Sequence, residues 1–408
     1  MTESFCSGTR NGGPDLCEGF NMSRRRPNRH PRSRLAAAAA VAASAVVALG
    51  AMPGAAAQKG GTAAAASTTS ITSVLATSPD AGVFSVGSVW RKDVSQAPLD
   101  PRSGEMAANL KAQVDSLYSG VSAFNVYQYN TSVYTVPATQ KRVTVKFSNC
   151  QKKSYTPKEL YQPEAGAHFV DVPIPSNAVP AKGSDAQLSV YSPSSDQLWE
   201  FWKAEKRSDG WYACWGGRID KVSTSHGFFP DGMGAAATGL ALTAGSIRIN
   251  EVKRGYIDHA MSLAIPAPKH WKTFSWPAQR SDGWSTSTSA IPEGTHLRLD
   301  PRVDVSKLNL TPVARMVAKA AQKHGFIVTD KAGAVSVMAE SGAGIQAATG
   351  SDPWKSILGG TPSYAVFKNF PWDKIQVLPQ DYGKTDAESI TVPGTPTGTS
   401  TPGTCTEV

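Results

Sequence analysis

The sequence predicts a mostly β fold, a β-sandwich or jelly-roll-like domain with two or three peripheral helices. Three observations carry this expectation. Eight short segments alternate apolar and polar residues at the two-residue period of a half-buried strand. Turn signals such as Ser208-Asp209-Gly210 and Pro292-Glu293-Gly294 lie between segments. Helical periodicity is confined to two stretches.

The elements follow in chain order. The folded region opens at Val89 and Trp90, and a helix is predicted next. Ser103 caps a stretch in which Met106, Leu110, Val114 and Leu117 recur at intervals of four and three, and Gly120 ends it. Strands are predicted over 143–147, 168–172, 186–191, 197–202, 211–215, 246–252, 257–265 and 295–299. The second helix is the better specified. Thr311 is its cap, Pro312 its first residue, and Val313, Met316, Val317 and Ala320 its apolar face, with Gly325 closing the end. Segments 326–330 and 335–338 then read as a hairpin turning at Gly333.

Composition divides the chain into four parts. Residues 1–57 read as an N-terminal extension and secretory signal peptide. Six arginines between Arg24 and Arg34 precede an apolar run over 35–49 and the small-residue site Ala55-Ala56-Ala57. That run is shorter than the roughly 20 residues that span a bilayer, so cleavage is expected, with no membrane association afterwards. Residues 1–21 fit no export signal and read as an extended start. Ser23-Arg24-Arg25 suggests a twin-arginine route, against which Pro27 stands where an apolar residue is expected. Residues 58–80 form an Ala/Ser/Thr-rich linker, 81–386 a single β-rich domain and 387–408 a Thr/Pro/Gly-rich tail. The expected location is extracellular, free or attached to the cell wall.

Charge excludes some partners. The formal net charge is +9, and seven of the arginines and three of the acids lie in residues 1–57, so 34 basic and 29 acidic side chains remain beyond them. The densest basic spots are Lys152-Lys153 and Lys203, Lys206 and Arg207. They lack the aromatic interleaving of a nucleic-acid groove and support only a modest attraction to anionic cell-wall polymers. Cleavage leaves Cys150, Cys214 and Cys405. Outside the cytoplasm two thiols of a folded region usually pair, so Cys150–Cys214 is the expected disulfide, worth roughly 3–4 kcal/mol, with two buried free thiols as the alternative. Cys405, in the tail, is expected to be unpaired or joined to another chain. The ligand spacings of a zinc site are missing, and no metal or cofactor is expected.

Alternation places polar groups on apolar faces. His259 shares a face with Ile257, Met261, Leu263 and Ile265, Glu251 with Ile247 and Ile249, and Glu200 with Leu198 and Trp202. Such groups must be paired, hydrogen-bonded or neutral. Converging, they make a carboxylic acid of raised pKa beside a titrating base. Apart, they are a core histidine bonded to a carbonyl and ion pairs with Arg218, Arg248 or Arg298. The glycine-rich segment 225–239 is the other candidate, with Asp231 as a ligand or a turn former. Glycine spacing for nucleotide binding, a Walker lysine and Gly-x-Ser-x-Gly are all missing. Glu340 reads as a solvated strand end. Tryptophans cluster at 199, 202, 211 and 215 and again at 271, 276 and 284. They either stack sugar rings or fill the core.

Segments 209–220 and 257–261, Trp276-Pro277-Ala278, and 294–300, together with the segment ending at Asp330, resemble a family of secreted bacterial proteins common in soil actinobacteria. The resemblance runs from Val89 to about Glu340. It implies an exported single domain, draws attention to Glu200, His259 and segment 225–239, and brings no reaction with it.

The leading expectation is a secreted glycosidase acting on extracellular polysaccharide or cell-wall glycan. Glu200 or Glu251 would be its acid/base and His259 would tune them, with Trp202, Asp231 and Arg298 binding substrate. A non-catalytic carbohydrate-binding or wall-associated protein is the rival. A polysaccharide lyase with His259 as base is a close variant.

Overall fold

The computed structural model describes residues 84–385. The expected export signal, linker and tail, with Cys405, all lie outside the described residues. The described residues all fall within one unit of the chain, Ala66–Val408. They contain no helix long and apolar enough to cross a membrane.

The fold is mostly β, with thirteen strands in three sheets and six α-helices among the described residues. Helix α1 (Ser103–Asp115) packs Met106, Leu110 and Val114 into the core. Its Ser103 is the first helical residue and not the cap: the hydroxyl accepts a hydrogen bond from Val377 N (2.8 Å), tying the helix to the last strand. Strands β1 (Ala123–Asn125), β2 (Thr131–Thr135) and β3 (Lys146–Phe147) follow, then β4 (Gln187–Ser192), β5 (Gln197–Trp202), β6 (Glu205–Arg207), β7 (Gly210–Ala213) and β8 (Trp215–Asp220). Two short helices, α2 (Leu242–Gly245) and α3 (Ile249–Arg254), lead to β9 (Met261–Ile265) and β10 (His296–Leu299). Helix α4 (Pro312–Lys323), strands β11 (Phe326–Lys331) and β12 (Ser336–Met338), helices α5 (Ala343–Thr349) and α6 (Pro353–Ile357) and strand β13 (Ile375–Val377) complete the chain.

The largest sheet has the order β1-β12-β9-β11-β10-β13. Phe326 and Val328 of β11 face a core shared with α1 and α4, whereas Ile327 between them faces the core of the second sheet. The large sheet therefore separates two apolar cores. The second sheet runs β2-β4-β5-β8 and the third β3-β7-β6.

Four pairings are parallel, β1 with β12, β9 with β11, β2 with β4 and β3 with β7. A jelly roll is antiparallel throughout, so the sheets are mixed where the sequence suggested that topology. The expected hairpin 326–338 is also corrected. Strands β11 and β12 are not paired, and β9 lies between them. Alternation reports which face a side chain takes, not which strand lies beside it.

Segment 246–252 is helix, not strand. Arg248 N donates to Glu251 Oε2 (2.8 Å) at the third helical position, and Gly255 closes α3 with φ +92°. This capping, with Lys253 and Arg254 in the last turn, outweighs three alternating apolar positions. Segment 257–265 is strand only from Met261. In 168–172 only a bridge from Val172 to Val143 forms, because Ala167 and Asp171, both left-handed, interrupt the extended backbone before it. Segment 211–215 breaks at Cys214, where the chain passes from the third sheet to the second.

Cys150 and Cys214 are bonded, closing a loop of sequence separation 64. The chain-entropy relation for that length gives about 4 kcal/mol. Reduction, or Cys214→Ser, is expected to lower the unfolding free energy by that order in urea titrations. A midpoint unchanged by reduction would show that the bond adds nothing.

Candidate functional site

The three predicted catalytic residues do not form one site. Glu200, on β5, is 1% exposed and lies opposite Ser189 and Gly217. Both its oxygens are committed, Oε2 to Leu242 N (3.1 Å) and Oε1 to Thr243 N (2.7 Å) at the start of α2. Burial pushes its pKa up to about 7 against these hydrogen bonds. Gly217 is bare for a steric reason: a Cβ there would sit 2.6 Å from Gly234 N, and segment 229–234 packs on that spot.

Glu251 and His259 do meet. His259 Nε2 donates to Glu251 Oε2 (3.1 Å) and Nδ1 donates to the Ala260 carbonyl (2.7 Å), so both ring nitrogens act as donors and the ring is an imidazolium. Burial opposes this charge, but Glu251 raises the His259 pKa above its ordinary value. Burial likewise works to raise Glu251, and the His259 charge and hydrogen bond outweigh it and hold the carboxyl low. Arg254 Nη2 reaches Glu251 Oε1 (3.4 Å) and Asp258 (2.9 Å). Glu340, expected at a solvated strand end, is 5% exposed and accepts from Arg248 Nε (3.2 Å) and Ile249 N (3.0 Å). The result is a buried ionic network around the start of α3, with no ring nitrogen left to take a proton.

The expected substrate contacts are dispersed. Trp202 Nε1 donates to Asp185 (3.0 Å). Asp231 is an exposed turn residue at φ 52°. Arg298, 7% exposed, holds Gln376 and the Val94 carbonyl.

A different group converges. Asp282, Glu293 and Asp330 bring one carboxylate oxygen each within 4.8 Å of one another. Asp282 and Glu293 stand near the end of an irregular excursion between β9 and β10, held together by Trp271 N to Gly283 O (2.8 Å) and Lys269 N to Ile291 O (2.9 Å). Asp330 comes from the end of β11, and Gly294 N to Val328 O (2.7 Å) fastens the excursion to that strand.

Glu293 is fully buried. Its Oε2 accepts from Asp282 N (3.1 Å), while Oε1 and Asp282 Oδ1 have no hydrogen-bond partner. Asp330 accepts from Ala237 N (3.3 Å) and Lys331 N (2.8 Å). Lys331 Nζ pairs with Asp282 (2.9 Å), whose side chain is 39% exposed and opens the group to solvent. Burial, then the charges of Asp282 and Asp330, push Glu293 well above the carboxylate range. Burial and Asp282 push Asp330 up to about 7.

Arg280 lies behind the trio and donates to the carbonyls of Ala236 (2.8 Å) and Gly234 (3.4 Å), locking the glycine-rich segment against it. Three carboxyl groups face two cations, Lys331 and Arg280, leaving an excess of one negative charge.

Two residues from Asp282, Trp284 is 59% exposed, and its Nε1 is pinned by the Pro266 carbonyl (2.9 Å). The trio was not legible in the sequence because Asp282 and Glu293 sit in Ser-Asp-Gly and Pro-Glu-Gly segments with the chemistry of ordinary turns. The tryptophan cluster 271–284 was its only nearby signal. Comparison with protein-family models, with curated proteins and with solved structures finds no match to this chain.

Proposed function

We propose that this is a secreted carbohydrate-active hydrolase that cleaves extracellular polysaccharide or cell-wall glycan at the Asp282–Glu293–Asp330 trio. The observation that carries the reading is a set of carboxyl oxygens within 4.8 Å, one member buried with its pKa raised and another open to solvent. Two carboxyl groups sharing a proton supply an acid and a base at one pH. Asp282, the open member, meets the substrate, and the trio as a unit holds the proton. The pinned indole of Trp284 offers a sugar ring a flat apolar surface.

Acid/base chemistry moves here from Glu200, Glu251 and His259, whose hydrogen-bonding atoms are already occupied. The lyase variant, which needs His259 as base, loses its support for the same reason. Glycan binding without turnover is the second reading, favoured by the exposure of Trp284 and the full burial of Glu293.

The test is reducing-end release from a panel of neutral and acidic polysaccharides. Asp282→Asn and Glu293→Gln are expected to lower kcat by about 10²–10⁴-fold, and Trp284→Ala to raise KM with less effect on kcat. Glycan binding lost in Trp284→Ala, with no cleavage of any polymer bound, would replace hydrolysis with the binding reading.

A further inference from the structure

The third sheet presents a surface that the trio does not use. Residues 146–153 and 203–212 carry six cations, Lys146, Lys152, Lys153, Lys203, Lys206 and Arg207, against two acids, Glu205 and Asp209. Their net charge of +4 is half that of all described residues, in which thirty-three lysines and arginines face twenty-five acids. The two segments are joined by the Cys150–Cys214 bond and by the pairing of β3 with β7 and of β7 with β6.

Five of these cations are laid on aromatic rings. Lys146 lies 5.4 Å and Arg207 4.0 Å from the Tyr212 centroid, Lys153 5.5 Å from Trp215, Lys203 4.8 Å from Trp202 and Lys206 5.9 Å from Trp211. The rings hold the long side chains and reduce the entropy lost when an anion binds them. Lys146 pairs with Asp209 (2.7 Å) and Arg207 with Glu205 (2.8 Å), so the excess charge falls on the four remaining lysines. All three residues of β6 are exposed, and Tyr155, two residues from Lys153, is 48% exposed.

We propose that this surface docks the protein on an acidic polysaccharide, its lysines meeting carboxylates and the Tyr155 ring a sugar face. Nucleic acid fits less well, because the sheet's rings lie beneath cations and do not stand clear to stack bases. The inference is independent of the hydrolase reading, since the trio contributes no residue to it.

The test is binding of the full chain to polygalacturonate between 50 and 300 mM salt, with dextran and polyphosphate as comparisons. Affinity for polygalacturonate is expected to fall steeply with salt, by counterion release. Lys153→Gln/Lys203→Gln/Lys206→Gln should weaken it by about tenfold or more at 50 mM and lower the salt slope by about two to three. Glu205→Gln/Asp209→Asn, which removes the two acids, should strengthen it. Three results would overturn the proposal: equal binding to polyphosphate, equal binding to dextran, or a triple variant that melts like the parent and binds as tightly.

Discussion

His259→Leu is expected to lower the unfolding free energy by about 3–5 kcal/mol, because it leaves the buried Glu251 carboxylate facing an apolar side chain. Glu251→Leu should cost a similar amount by stranding the imidazolium. Replacing both together should cost clearly less than the sum, since breaking a buried pair is worse than removing it. Urea titrations with an unchanged m value would measure these differences. Additive losses would show that the two groups are not coupled. His259 has a raised pKa, so its contribution is present below its unfolded value of 6.5 and lost as pH rises through the folded value. Glu251 has a lowered one, so its contribution is present above 4.5 and lost as pH falls through the folded value.

The second large effect is a loss of stability on the alkaline side. Glu200 and Asp330, both pushed up to about 7, and Glu293, raised well above 4.5 by burial and the neighbouring carboxylates, bind protons more tightly folded than unfolded. Their stabilisation is therefore complete below the unfolded pKa and lost as pH rises through the folded one. His168, pushed down to about 4, His296, pushed down to about 3, and His324, also lowered, act in the opposite sense. Burial keeps them neutral, and stability is lost as pH falls from 6.5 through their folded values. Between about pH 4.5 and 6.5 the two sets offset each other. Above 6.5 only the carboxyls and His259 change, so stability is expected to fall from about pH 6.5 towards pH 8.

Glu293→Gln tests the origin of that fall, since glutamine reproduces the shape and hydrogen bonding of the protonated acid. At pH 8 this variant should be more stable than the parent by about 1–2 kcal/mol, with a flatter decline. A parent protein whose melting temperature rises steadily to pH 8 would show that the trio holds no proton. The same substitution is expected to lower kcat by about 10²–10⁴-fold, so stability and activity move in opposite directions at one residue.

Much of the fold was legible in local chemistry. Helix α4 begins with Thr311 accepting from Ala314 N and ends before Gly325, because capping is a contact between residues a few positions apart. Strand β5 matches its predicted bounds, since its alternation has no competing cap signal. Segment 246–252 was misread because Ile247, Ile249 and Glu251 satisfy a two-residue period by chance, while Glu251 and Gly255 are helix punctuation. His259 lies inside the protein as alternation predicts, although the strand begins two residues after it. Its meeting with Glu251 depends on the tight turn after α3 at Gly255, which brings residue 259 back towards 251.

By itself, the sequence determined strands β4, β5 and β10 to within a residue, the well-capped helix α4, the disulfide and the burial of Glu200. Each follows from side-chain period, capping or thiol pairing, which act locally or between two residues. Only the tertiary structure decided which strands are neighbours, that Glu200 is spent on α2 while Glu251 takes His259, and that Asp282, Glu293 and Asp330 come together. The physical reason is that period specifies a face and composition specifies a turn, whereas a cluster drawn from two turns and a strand end exists only after long-range pairing has closed the sheet around it.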